Sequence, residues 1–263
     1  MKKLYWQPLL AVVALTLAAL ACGPFSALST GSLSTSTSNF SGEDIDQLNA
    51  SLAIGAGELQ VGGGGTDLVE AVFEYNIEEW APISESSANG TTGRFTARQP
   101  AYEGIPIGDD LINRWDITFN DDVPLDLAVE LGAGDSTLAL QSLNLQDFSL
   151  NAGAGDVTIE LGSANLTDVD IQAGVGKLDV DLTGNWGADA DIRITGGVGD
   201  LNLLLPKDVG VIVNLSVGLG DINASGLNVD GDSYTNDAYG SSTVTLYVDF
   251  TGGVGAITLR VED

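Results

Sequence analysis

The 263-residue sequence predicts an all-β protein: a parallel β-solenoid with coils of about 21 residues and an N-terminal antiparallel β cap. Three observations carry this expectation. A Gly-x-Gly phrase recurs at Gly132/Gly134, Gly153/Gly155, Gly174/Gly176, Gly197/Gly199, Gly218/Gly220 and Gly253/Gly255, with an earlier copy at Gly55/Gly57. From Gly134 to Gly220 the second glycines follow one another at 21, 21, 23 and 21 residues, and Gly255 follows after 35. Apolar residues alternate with polar ones on both sides of each phrase, the period-two signature of strands with one buried face.

Taken in chain order, residues 1–21 read as a signal peptide. Lys2 and Lys3 precede the apolar run Leu9–Ala21, which is too short to span a bilayer. Two patterns meet at its end. Ala19-Leu20-Ala21 fits ordinary secretory cleavage, whereas Cys22, the single cysteine, stands where a bacterial lipobox would place a lipid-bearing residue, although Ala19 replaces the usual leucine. Cys22 is therefore the expected lipid anchor, which would make the chain a membrane lipoprotein facing outside the cytoplasm. With one cysteine, no internal disulfide can form. Residues 22–43 are rich in Ser and Thr without hydrophobic period and read as a flexible tether.

Residues 44–126 form the expected N-terminal β region. Val69, Ala71, Phe73 and Tyr75 alternate, as do Phe95 with Ala97 and Trp115, Ile117 with Phe119, while Asn89-Gly90 marks a hairpin turn. Seven of the 17 aromatic residues, Trp80 and Trp115 included, lie here and are expected in packing. An antiparallel cap at this end would cover an otherwise open sheet edge.

Residues 127–263 form the expected solenoid. After the glycines come Val157, Ile159, Leu161; Leu178, Val180, Leu182; Leu201, Leu203, Leu205; and Ile257, Leu259, Val261. Two strands and two turns per repeat make one coil, and successive coils are expected to pair in parallel. The glycines then serve corners that need positive φ or close backbone approach. A phosphate-binding loop is not expected, because strands rather than a helix N-terminus follow them.

Asp135, Asp156, Asp200 and Asp221 follow the glycines and could form a calcium ladder, but Lys177 and Ala256 interrupt it. Turn aspartates bonding nearby backbone are the simpler reading. The insertion before Gly253 offers Asp230, Asp232, Asn236 and Asp237 as weak calcium ligands, with Tyr234 where a calcium loop would favour Asp or Asn. No cofactor is otherwise expected.

A net charge of −28, from 37 acidic and 9 basic residues, argues against nucleic acid or anionic lipid as partner. The chain has no histidine, so neither a Ser-His-Asp triad nor a histidine general base is available. Paired carboxylates could still act as in the β-helical polysaccharide lyases and hydrolases, the least favoured reading.

Several segments together resemble the bacterial toastrack family, formerly the DUF2154 group, from about Asp44 to Asp263. They are LAIGAGELQVGGG, LVEAVFEYNIEEW, RWDITFNDDVPLDLAVELGAGDSTLAL, GGVGDLNLLLPKDVGVIVNLSVGLGDINASGL and NDAYG followed by VTLYVDFTGGVGAITL. This family is similar to the C-terminal domain of cell-wall-active antibiotic response proteins and to the DUF4097 adhesin group. The resemblance implies a single-stranded right-handed β-helix displayed outside the cytoplasmic membrane, with no catalytic motif to carry over. It implies envelope-stress signalling or scaffolding in some members, while the regular β-face and tether suit a non-catalytic interaction module whose partner is an envelope protein or a second copy. A calcium- or glycan-binding adhesin is the alternative.

Overall fold

The computed structural model describes residues 27–42, 44–108 and 110–262; the expected signal peptide and Cys22 lie outside the described residues. The N-terminal strands are β1 (Ala27–Ser29), β2 (Ser34–Phe40), β3 (Gln47–Ala56), β4 (Glu58–Gly62) and β5 (Val69–Tyr75). After a short 3-10 turn at Glu78–Trp80 come β6 (Ile83–Asn89), β7 (Thr92–Arg98), β8 (Ile105–Ile107) and β9 (Asn113–Phe119). The repeats follow as β10 (Leu125–Ala133) and β11 (Ser136–Ala139), β12 (Leu145–Ala154) and β13 (Val157–Glu160), and β14 (Asp168–Val175) and β15 (Leu178–Asp181). Then come β16 (Ala190–Val198) and β17 (Leu201–Leu205), and β18 (Gly210–Leu219) and β19 (Ile222–Ser225). The chain closes with β20 (Asn228–Asp230), β21 (Ser233–Thr235), β22 (Thr245–Val254) and β23 (Ile257–Val261).

Each repeat places its first strand in an eleven-stranded sheet, turns at the glycines, and places its second strand in a ten-stranded sheet. The alternation seen in the sequence becomes in-register columns of buried side chains. On the first sheet Leu52, Val129, Leu150, Ile171, Ile194, Phe250 and Leu215 stack strand upon strand. On the second, Val61, Leu138, Ile159, Val180, Leu203 and Leu259 do the same. The two sets meet in one continuous hydrophobic core, since the strands that carry these columns each bury one face.

Three expectations need correction. First, the coils are not stacked in chain order. In the first sheet β22 lies between β16 and β18, and in the second β23 lies between β17 and β19. The reason is occupancy: β21 pairs antiparallel with Ile212–Asn214 on the outer side of β18, so the returning β22 takes the inner side. The 35-residue interval to Gly255 therefore encloses a hairpin, and its final coil inserts between the two preceding ones.

Second, the boundary at 126/127 does not separate cap from solenoid. β3 and β4 are already a coil, paired in parallel with β10 and β11. β7 and β9 extend the stack outward from them, again in parallel. Among the N-terminal strands, antiparallel pairing is confined to β2–β5–β9 and β6–β7. Third, the tether reading of residues 22–43 fails for Ser34–Phe40. β2 pairs along its whole length with β5, mostly through backbone, while Phe40 packs against the core.

Candidate functional site

The glycine corner is the most repeated feature. In the turn after each first strand the second glycine has positive φ, +137° at both Gly155 and Gly176. A Cβ built on Gly155 would overlap the carbonyl oxygen of Gly134 and approach its carbonyl carbon to 2.6 Å, because the corners sit directly on one another. The first glycines stack in the same way, as Gly174 does on Gly153. Both columns thus serve close backbone approach and carry no side chain that could bind a ligand.

The columns end at the N-terminal side on polar side chains. Gln99 Oε1 accepts from Gly55 N–H (2.8 Å) and Ala56 N–H (3.0 Å). Asn113 Nδ2 donates to the Ala56 carbonyl (2.5 Å), and its Oδ1 accepts from the Trp115 indole N–H (3.0 Å). Trp115 itself is fully buried and meets Phe73 edge-on, with ring centroids 5.1 Å apart. These residues replace a missing glycine coil. Trp80 is buried in a separate small cluster with Leu28 and Ile77.

The aspartates after the glycines bind the backbone of the next coil. Asp156 N–H donates to Asp135 Oδ1 (3.1 Å), Lys177 N–H to Asp156 Oδ1 (2.9 Å), and Ala256 N–H to Asp200 Oδ1 (3.0 Å). Lys177 also reaches Asp179 (2.6 Å), and that carboxylate, with weaker help from Asp156 and Asp200, raises the lysine pKa. Asp135, Asp156 and Asp200 therefore tie coil to coil instead of closing their own turns.

A second acidic row escaped the sequence reading. Asp126, Asp147, Asp168 and Asp191 stand side by side on β10, β12, β14 and β16, facing outward. The repeat spacing carries the signal, since these aspartates recur at 21, 21 and 23 residues. Burial raises the Asp147 pKa first, and the Asp126 and Asp168 carboxylates raise it further. Gln47 Nε2 donates to Asp126 (2.8 Å) at one end of the row, and Arg193 reaches Asp168 (3.4 Å), so both neighbours of Asp147 are partly relieved.

Asp147→Asn is accordingly expected to stabilise the fold by about 0.5 kcal/mol, the scale of one like-charge cross-strand contact after solvent screening. Because folding raises this carboxyl's pKa, the folded state binds more protons between its ordinary and raised values, and its contribution to stability grows as pH falls through that window. Melting curves across acidic pH check both: the variant should melt higher at neutral pH, with the difference shrinking on acidification.

The four weak calcium candidates are not brought together. Asp230 and Asp232 flank the Gly231 turn on the exposed hairpin. Asn236 is buried, its Nδ2 donating to the Pro206 (2.8 Å) and Val209 (2.7 Å) carbonyls and its Oδ1 accepting from Val211 (3.0 Å) and Tyr239 (3.1 Å) N–H groups. Asp237 accepts from Asn228 Nδ2 (3.2 Å). Among the described residues no three His, Cys, Asp or Glu side chains are grouped so as to hold a metal ion.

Between the paired glycines an exposed side chain caps each corner. In spatial order these are Ala133, Ala154, Val175, Val198, Val254 and Leu219, each in register with the next. They form an apolar ridge that grows towards the last coil, and Leu219 is 71% exposed.

Comparison with known proteins adds the decisive observation. The model of the N-terminal domain of toast_rack, DUF2154, matches residues 29–165 and again 147–204. The chain belongs to the toast_rack family. The two overlapping matches fall on in-register repeats, as expected where one coil resembles the next. Among solved structures, a provisionally assigned cell adhesion protein from Clostridium sporogenes is 26% identical, covers 88% of this chain and 100% of its own, and superimposes with a TM-score of 0.69. A provisionally assigned adhesin from Bacteroides fragilis is 9% identical over 88% of this chain and 99% of its own, at a TM-score of 0.31. No curated protein matches the toast_rack chain.

Proposed function

We propose that the chain is a non-catalytic, adhesin-like interaction module, held outside the cytoplasm through Cys22 and following the path of a right-handed single-stranded β-helix wherever its coils run in order. The supporting observation is its likeness to the whole of the Clostridium sporogenes cell adhesion chain, in both sequence and shape. Outward ladders of Thr, Asn and Asp on a rigid core offer a regular surface for contact, and backbone bonds occupy the corner groups that might have served chemistry. A role in envelope stress belongs to the same reading, with the partner in the envelope.

Retention on surfaces coated with bacterial envelope material tests it. Bacteria displaying the full chain should be retained severalfold better than an isogenic strain without it, and equal retention would remove the adhesin-like reading.

A further inference from the structure

Four strands edge the two long sheets: β2, β6, β19 and β20. β2 and β6 carry rows rich in Ser, Thr, Asn or Glu, the usual protection of an open edge. β19 is different. Its inward-facing Ile222 continues the column Leu178, Leu201, Ile257, whose members are 4%, 3% and 2% exposed, yet Ile222 is 40% exposed. Ala224 likewise continues the column of Leu203 and Leu259 and is exposed. Beside them the apolar ridge ends in Leu219. The β20–β21 hairpin and its flanks bond to β18 from Val211 to Leu215, whose N–H donates to the Asp232 carbonyl (3.0 Å), leaving Ser216–Leu219 without a paired outer neighbour among the described residues.

The backbone is open as well. The Asp221 carbonyl accepts from Ile257 N–H (2.9 Å), so Asp221 faces β23. Polar groups alternate sides along a parallel strand, so the N–H and C=O of Ile222 and Ala224 face away from the molecule. No Lys, Pro or bulge protects this edge.

We infer that β19 is a self-association edge, and that it pairs antiparallel with β19 of a second copy about a two-fold axis at Asn223. This rests on the interaction reading above and deepens it by naming the partner. The register follows from the sequence Asp221-Ile-Asn-Ala-Ser225. Pairing about Asn223 sets Ile222 against Ala224 of the second copy, so their outward N–H and C=O groups bond each other and their side chains extend both cores. Charge selects the direction. Arg260 lies beside Ser225 in the register and makes no ion pair among the described residues. Antiparallel pairing brings Asp221 of each copy to the Ser225–Arg260 end of the other, whereas parallel pairing would set Asp221 against Asp221. Ile222–Ser225 itself is uncharged, so two strongly acidic chains can meet there. The contact uses the same surface on both copies and closes at a dimer.

Positional crosslinking of the full chain carrying Cys22→Ser, so that any added cysteine is the single thiol, tests this. Asn223→Cys on the axis should give mostly covalent dimer under mild oxidation, because facing residues there lie within disulfide reach. Thr258→Cys, one strand inboard in the same outward column, should stay monomeric. Without added cysteine, Ile222→Lys should raise the dimer Kd by at least about tenfold in sedimentation while the melting curve stays cooperative. Equal crosslinking at both positions, or no dimer at Asn223→Cys, overturns the pairing. A monomer that still promotes retention would refute this inference and leave the adhesin-like reading standing; a dimer that promotes none would do the reverse.

Discussion

Gly155→Ala is expected to destabilise the protein by roughly 4 kcal/mol or more, at the extreme of single-substitution effects. Two costs combine. The residue sits at φ +137°, where a side chain is strained, and the new Cβ would overlap the Gly134 carbonyl in the coil beside it. The neighbour cannot yield, because the obstructing atoms are backbone and their coil is held by another on its far side. Gly90→Ala is the milder control: Gly90 has φ +61°, in the left-handed region that an alanine enters at modest strain, and nothing lies within 4 Å of its Cβ position. It should cost about 1 kcal/mol. Thermal melts of the two variants check this, with a Tm loss of about 10 °C or more for Gly155→Ala and a few degrees for Gly90→Ala.

Trp115→Ala is expected to cost about 3–5 kcal/mol. The indole is wholly buried, packs edge-on against Phe73 of β5, and donates to Asn113, which in turn holds Ala56 at the corner of the first glycine coil. Removing it opens a cavity and frees the side chain that ends the glycine column, so the antiparallel strands should loosen before the rest. Trp115→Phe restores most of the volume but not the N–H and should cost less than half as much. Denaturant titration followed by hydrogen exchange checks this: amide protection in β5 and β9 should fall further than in β12 to β15.

The repeat, the two faces of its strands and the role of its glycines were legible because they depend on local periodicity. Val157, Ile159 and Leu161 state their own burial. The order of the coils was not legible, because strands with the same alternation and the same corner are interchangeable as partners. Nothing in TLYVDFTGGV says that it lies beside Ile192 and Val213 at once. β2 was hidden for another reason: STSTSNF pairs through backbone and buries little besides part of Phe40. The corner aspartates Asp135, Asp156 and Asp200 are expected from the sequence to bond nearby backbone in their own turns, yet they bond the backbone of the neighbouring coil, and the row from Asp126 to Asp191 lies one strand earlier, where no glycine phrase marks it. Asn236 looked like an oxygen ligand in a polar loop, and only its buried position identifies it as a clamp on the β18 approach.

Under the proposed function, a folded stack of coils makes the contact by its outward surface and without chemistry. Retention of bacteria displaying the full chain tests it most directly when three strains are compared: one displaying the native chain, one displaying the Gly155→Ala chain, and one displaying neither. The expected result is strong retention with the native chain, suppressed by added purified protein, and retention with Gly155→Ala falling towards that of the empty strain. Equal retention in all three strains, or retention that survives both the loss of the fold and the competitor, would contradict the account.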